Sequence, residues 1–386
     1  MTRRIAVFSG SRADYGLLKR LMRLIADDPE LELLTIAAGM HLAPEFGLTW
    51  REIAADGFAI DARVEMLLAS DTRLGVAKSL GLGTMGIADA LDRLQPDLLV
   101  ILGDRFEALA AAQAALILGV PIAHIHGGEI TTGAYDDAVR HAITKMAALH
   151  FVAADPYRTR VIQMGTPPGA VFTVGAPGLD ALSDSQMPLA QVSAELGFAL
   201  ARPYFLATYH PATNADEPPV AGVRALLDAL SSQLNHALVL TYPNADHGGR
   251  AVIAEIDVFA AAHPARVLAV PSLGARYGAV MAGAAAVVGN SSSGIIEAPS
   301  FRVPTVDIGA RQAGRLAAAS VRHVAADRVS IAAGIAWAVS AAGADAARTA
   351  VNPYGSGNAA PQMHALIKSE RPDTSLPFHD LPGENP

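Results

Sequence analysis

Cysteine is absent from all 386 residues, which excludes disulfides and any thiolate metal site and is compatible with a cytosolic enzyme. Charged residues are sparse, at 17% against 51% hydrophobic, yet no apolar run reaches the length needed to cross a bilayer. At the N-terminus Arg3 and Arg4 precede an apolar stretch far too short for a signal peptide. The expectation is a soluble, cytoplasmic protein with no membrane partner. A net charge of −8 argues against nucleic acid as a partner, although a local group of arginines can still hold phosphates. Heptads, low-complexity tracts and short repeats are missing. His236, His247 and His263 lack metal-ligand spacing, and no metal is expected.

What is present is a strand–helix alternation from end to end, which implies parallel strands and right-handed crossovers. The fold class is α/β, with two doubly wound Rossmann-like domains facing a cleft. The first covers 1–178 and a Pro-, Ser- and Gly-rich linker covers 179–203. The second domain covers 204–355, and 356–386 is a C-terminal segment with a short helix near 362–368 that packs back on the first domain. The residues 64–86 read as a Gly-rich loop leading into a helix that ends near Leu94.

The stretch 102–145 concentrates polar chemistry. The apolar run Leu98–Leu102 suits a strand buried on both faces and ends in Gly103-Asp104-Arg105. The next strand, Ile122–Ile125, ends in His126-Gly127-Gly128-Glu129, and Asp136-Asp137 then opens a helix with Arg140 and His141 one turn in. Ligands of open α/β sheets bind beyond the carboxyl ends of the strands, so Asp104, Arg105, His126, Glu129 and Asp136 reach one rim. Taken singly, Asp104 reads equally as a helix cap, and Asp136-Asp137 as charge complementing a helix dipole. Three carboxylates and a histidine together indicate acid–base chemistry.

Two further stretches suit a nucleotide. Gly10-Ser11-Arg12 follows the first strand, where amides and a helix dipole favour an anion and Arg12 supplies charge, although neither a dinucleotide fingerprint nor a P-loop is present. In the second domain Gly289-Asn290-Ser291-Ser292-Ser293-Gly294 leads into a helix and forms a candidate diphosphate cradle, with Glu297 one turn on for ribose hydroxyls. His210, at a strand end before Pro211, is placed for a phosphate or a leaving group. Asn244, Asp246 and Arg311 are weaker candidates of the same kind.

The motifs GSRADYG, GMHLAPEFG, GDRFEA, HIHGGE, DDAVRHAITK, YHP, PNAD and GNSSSGIIEAP, in this order, resemble the hydrolysing UDP-N-acetylglucosamine 2-epimerases of sialic acid synthesis. The resemblance implies a GT-B-like fold, a UDP-sugar substrate, no cofactor, and a homodimer or homotetramer. It also implies cleavage of UDP-N-acetylglucosamine to UDP and free N-acetylmannosamine. Similar enzymes of legionaminic acid synthesis act on UDP-2,4-diacetamido-2,4,6-trideoxyglucose. In non-hydrolysing relatives a glutamate occupies the position of His126, so that here the nearest carboxylate is Glu129.

C2 of such a sugar is not next to a carbonyl, and its proton is not acidic. The route round this is elimination: a base removes the C2 proton as UDP leaves C1, and water then adds at C1 of the glycal while C2 is reprotonated from the other face. Asp104, Glu129 and Asp136 are the acid–base candidates, and Arg12, His210, Ser291 and Ser292 the clamp on the leaving diphosphate. A retaining glycosyltransferase and a non-catalytic sugar-nucleotide binder share these features as rival readings.

Overall fold

Apolar runs ending in Gly-rich turns assemble here into two parallel sheets, seen in a computed structural model that describes residues 2–70, 72–131, 135–182, 187–200, 203–211, 220–243, 248–374 and 377–381. The chain divides into two units. The first holds Met1–Glu129, Asp136–Asp180 and Gly357–Pro386, and the second Ile130–Tyr135 and Ala181–Ser356.

The first unit contains β1 (Arg3–Ser9), β2 (Leu31–Ala38), β3 (Ala62–Val64), β4 (Leu98–Leu102), β5 (Ile122–Ile125), β6 (Leu149–Val152) and β7 (Val171–Thr173). They form a seven-stranded sheet in the order β3-β2-β1-β4-β5-β6-β7, with all pairs parallel. Helices α1 (Arg12–Asp27), α2 (Trp50–Ala55), α3 (Arg73–Leu94), α4 (Phe106–Leu118), α5 (Asp136–Met146) and α6 (Asp155–Gln163) provide the crossovers. Both faces are covered, so β4 is buried along its whole length and shows no polar alternation.

Helix α1 starts at Ser11, whose hydroxyl accepts the Asp14 amide at 3.3 Å, and buries Leu18, Leu21, Met22 and Ile25. Each such side chain contributes about 1.5–3 kcal/mol. The expected loop over 64–86 is instead helical from Arg73 on, after the short β3. Two of the glycines in it serve packing: a Cβ on Gly83 would lie 2.4 Å from Met66, and one on Gly86 2.7 Å from Val64.

The second unit contains α7 (Leu189–Leu196), β8 (Tyr204–Thr208), α8 (Ala221–Ser231), β9 (Ala237–Thr241), α9 (Gly249–Ala262), β10 (Val267–Val270) and α10 (Tyr277–Ala282). It continues with β11 (Ala286–Gly289), α11 (Ser292–Ile296), β12 (Thr305–Ile308), β13 (Val321–Val324), α12 (Arg328–Ala338) and α13 (Ala341–Thr349). Its six-stranded parallel sheet has the order β10-β9-β8-β11-β12-β13. The stretch read as a linker holds α7, whose Val192 is buried with Leu200, Tyr204 and Leu206 in this unit's core. β13 escaped notice because Arg322 and His323 interrupt a four-residue edge strand.

The last helix, α14 (Ala359–Ser369), belongs to the first unit, where Met363 and Ile367 share a core with Leu18, Leu21, Met22 and Ile25. Asp180 accepts the amides of Ala359 at 2.7 Å and Ala360 at 2.5 Å, a carboxylate at a helix N-terminus.

Candidate active site

Both sheets reverse strand order once, between β1 and β4 in the first and between β8 and β11 in the second. Chains leave such a reversal in opposite directions, which opens a crevice at the carboxyl ends of those strands. The conspicuous polar residues of each unit gather there.

In the first unit β4 runs into Gly103, Asp104 and Arg105, and Arg105 caps α4. Arg140, one turn into α5 and 1% exposed, donates Nη2 to Oδ2 of Asp104 and Nη1 to the Glu129 carbonyl at 3.0 Å. One buried cation thus ties the end of β4 to the end of β5. His126, at φ +67, is one of the few non-glycine residues with left-handed backbone, and its Nδ1 donates to Oε1 of the fully buried Glu129 at 2.6 Å. That bond fixes the ring orientation and leaves Nε2 as the second functional nitrogen. Behind them, His124 bonds the Gly103 carbonyl through Nε2 at 2.7 Å and Thr144 through Nδ1 at 3.2 Å. Burial holds His124 down at about 4, so it remains neutral and supports the turn that carries Asp104.

Beside this array Arg105 donates to Oε1 of Glu107 at 2.8 Å. Glu107 is fully buried, and burial raises its carboxyl against the opposing pull of Arg105. It lies under the loop after β1, where a Cβ on Gly10 would come within 2.9 Å of the Glu107 Cβ. Asp14, in the first turn of α1, is likewise raised by burial and lowered by Arg105. His41 bonds Ser9 and Thr49, each at 2.8 Å, and burial lowers it to about 4.

In the second unit Asn290 joins the two sides of the reversal. Its Oδ1 accepts the His210 amide at 2.7 Å and its Nδ2 donates to the His210 carbonyl at 2.8 Å. Its own carbonyl accepts from Arg311 Nη1 at 3.1 Å and Gln312 Nε2 at 2.9 Å. Gly289, at φ +147, makes this closeness possible: a Cβ there would lie 1.9 Å from the Thr208 carbonyl oxygen. Ser291 caps the five-residue α11 without a side-chain bond to it, and its hydroxyl instead meets Ser293 at 3.0 Å. Ser293 in turn bonds the Tyr277 hydroxyl at 2.5 Å. The first amides of α11 have no acceptor within their own helix.

The expected residues fall as follows. Asp104, His126 and Glu129 are brought together through Arg140, and Asp136 is buried at the first position of α5. Arg105 lies by Glu107, whereas Arg12 is the first residue of α1 and pairs with Glu52 at 3.1 Å. His210, Ser291 and Arg311 gather around Asn290 and α11, with Ser292 opening that helix. Glu297 ends α11, where its amide bonds the Ser293 carbonyl. Asn244 and Asp246 lie outside the described residues. Glu107 was not singled out by the sequence, and Arg140 and Asn290 were named there only as members of their motifs, without roles of their own. Arg140 was detectable, because it shares the stripe of α5 that also buries Asp136, Ile143 and Thr144. Among the described residues no three His, Asp or Glu side chains are grouped to hold a metal ion.

Two parallel-sheet α/β domains of this kind are GT-B-like. The fold matches a UDP-GlcNAc 2-epimerase of Neisseria meningitidis bound to UDP-GlcNAc, with a TM-score of 0.80, 18% identity, and coverage of 95% of this chain and 100% of that one. The chain belongs to the UDP-N-acetylglucosamine 2-epimerase family, whose profile matches residues 23–368. It is 37% identical to a GDP/UDP-N,N'-diacetylbacillosamine 2-epimerase (hydrolyzing) of Campylobacter jejuni, over 81% of this chain and 82% of that protein. It is also 32% identical to a polysialic acid biosynthesis protein of Escherichia coli, over 98% of both chains. A UDP-N,N'-diacetylbacillosamine 2-epimerase (hydrolyzing) of Legionella pneumophila is 35% identical over 81% of this chain and 82% of its own.

Proposed function

We propose that this chain is a hydrolysing 2-epimerase that converts UDP-N-acetylglucosamine to UDP and free N-acetylmannosamine by elimination and rehydration. The observation that carries the reading is the pair of strand ends bridged by Arg140, which hold the Asp104 carboxylate and the His126–Glu129 pair in fixed positions. Elimination needs a base for the C2 proton and an acid for its replacement on the opposite face, and fixed carboxylates suit both roles. Asp104, Glu129 and Asp136 take the acid–base work, with His126 orienting Glu129.

Departure of UDP puts negative charge on the diphosphate. His210, Arg311, Ser291, Ser292 and the first amides of α11 are the groups suited to receive it, and Arg12 adds charge at the start of α1. Glu297 takes the ribose hydroxyls, Arg105 the sugar side, and Asn244 remains a candidate for the base or ribose. Carbon–oxygen cleavage at C1 releases UDP, and water supplies the new hydroxyl at C1.

A second reading keeps the chemistry and changes the sugar to the 2,4-diacetamido-2,4,6-trideoxy form. It is favoured by the names of the Campylobacter and Legionella relatives, at 37% and 35% identity. Incubation with each UDP-sugar alone, followed by chromatography of UDP and NMR of the free sugar, tests both. Release of UDP with an epimerised sugar is expected without any acceptor. A requirement for an acceptor would favour a glycosyltransferase, and binding without turnover a sugar-nucleotide sensor.

A further inference from the structure

The turn after β5 fixes one side chain from two directions. His126 is held at φ +67, a region that is costly for a residue with a side chain and persists where the surroundings over-determine it. Its amide bonds the Phe151 carbonyl at the edge of β6 at 3.0 Å, and its ring is held by Glu129, three residues on, at 2.6 Å. Gly128, at φ +78, lets the chain double back for that bond: a Cβ there would lie 2.5 Å from the Tyr157 carbonyl oxygen. Backbone and ring are both anchored.

The two members of this pair differ in what they can reach. The Glu129 side chain is 1% exposed and that of His126 10%, with Nε2 neither enclosed nor bonded among the described residues. A carboxylate oxygen accepts and does not donate, so the Nδ1 facing Glu129 carries the hydrogen and Nε2 carries the lone pair. A buried carboxylate behind an imidazole fixes this tautomer and stabilises the imidazolium that forms when Nε2 takes a proton. Glu129 supplies the charge, and His126 supplies the contact.

We propose that His126 Nε2 is the base that takes the C2 proton, with Glu129 acting on the sugar through it. The inference rests on the proposed reaction and names, within it, the atom that touches the C2 proton. The Nε2 lone pair takes that proton, the C2–H electron pair becomes the second bond between C1 and C2, and the C1–O pair leaves with UDP. On the opposite face Asp104 or Asp136 returns a proton to C2, where the double-bond pair forms the new C–H bond. Water adds its oxygen at C1 and gives up a proton to solvent. The imidazolium then loses its proton to solvent, and the carboxylate regains one.

The test is His126→Gly in the full chain, since glycine suits φ +67 and leaves the turn intact. Turnover of UDP-N-acetylglucosamine, or of the 2,4-diacetamido sugar if the wild type prefers it, is expected to fall roughly 10²–10⁴-fold with UDP affinity and circular dichroism unchanged. Added imidazole is expected to raise the variant's rate at least about tenfold, and deuterium placed at C2 of the substrate to slow that recovered rate. Pyrazole, of equal size and far weaker basicity, is expected to recover none of it, which a ring that only fills space would not predict. Retained turnover in His126→Gly, no recovery with imidazole, or equal recovery with pyrazole would overturn the proposal. A wild type that epimerises neither sugar would overturn the reaction itself and the proposal with it.

Discussion

Arg140 donates to the carboxylate of Asp104 from a position 1% exposed, and its second nitrogen holds the carbonyl of Glu129. The two strand ends are therefore positioned by one guanidinium, and a single ammonium cannot bridge both acceptors in the same geometry. Arg140→Lys is expected to lower kcat about 10²-fold, the cost of misplacing a reacting group by about an ångström, with UDP affinity unchanged. Arg140→Leu leaves Asp104 without its cation and is expected to cost about 3–5 kcal/mol of stability in urea unfolding. Wild-type turnover in Arg140→Lys would remove Arg140 from the positioning role.

Glu129→Gln keeps the shape of the side chain and an acceptor for His126 Nδ1, yet removes the ionisable group. Turnover is expected to fall roughly 10²–10⁴-fold with little change in melting temperature. Asp104→Asn is expected to lower turnover by a similar factor and also to lower the melting temperature, because Arg140, 1% exposed, loses its carboxylate partner. A variant of either kind that releases the glycal would identify the group needed for rehydration. Full activity in either variant would exclude that carboxylate from the proton transfers.

Asn290 holds the His210 backbone through both ends of its amide. Asn290→Ala loses both bonds, at about 1–3 kcal/mol for the buried groups left unpaired. Calorimetry is expected to show UDP binding weakened roughly 10- to 100-fold. Ser291→Ala with Ser292→Ala is expected to weaken it by a similar factor if the start of α11 receives the diphosphate. Unchanged UDP affinity in both would move the nucleotide site elsewhere.

Much of this arrangement was legible in the sequence because it depends on local rules. An apolar run followed by Gly-Asp-Arg or His-Gly-Gly-Glu announces a buried strand and a polar rim, and β4 and β5 carry those residues as read. Partners were not legible, since pairing across strands depends on register. Nothing local says that Arg140 reaches Asp104 across 36 positions, or that Asn290 reaches His210 across 80. Arg12 was likewise placed without its partner: it opens α1 instead of lying in the loop before it, and its guanidinium pairs with the Glu52 carboxylate. The run of glycines in α3 misled for a related reason, because Met66 and Val64 press against it and tertiary contact overrides propensity.

His124 gives a pH signature with a definite sign. Its folded value of about 4 lies below the ordinary 6.5, with burial the main cause. Above 6.5 it is neutral in both states and contributes no pH dependence. Between about 6.5 and about 4 the unfolded chain takes up a proton that the folded chain refuses, so stability falls as pH falls. At pH 5 the loss amounts to about 2 kcal/mol. His124→Gln keeps a donor for the Gly103 carbonyl and lacks this proton, so its urea midpoint is expected to drop less than that of the wild type between pH 7 and pH 5. Equal drops would contradict a neutral, buried His124.

The elimination route is tested most directly by turning over UDP-N-acetylglucosamine in heavy water and in oxygen-labelled water. If fixed carboxylates exchange their proton with solvent and return it to C2, the free sugar carries deuterium at C2. If the C1–O bond breaks, labelled oxygen enters the sugar and not UDP. The same outcome is expected for the 2,4-diacetamido sugar should that be the one turned over. Protium retained at C2, or label found in UDP, would contradict the acid–base chemistry assigned to Asp104, Glu129 and Asp136.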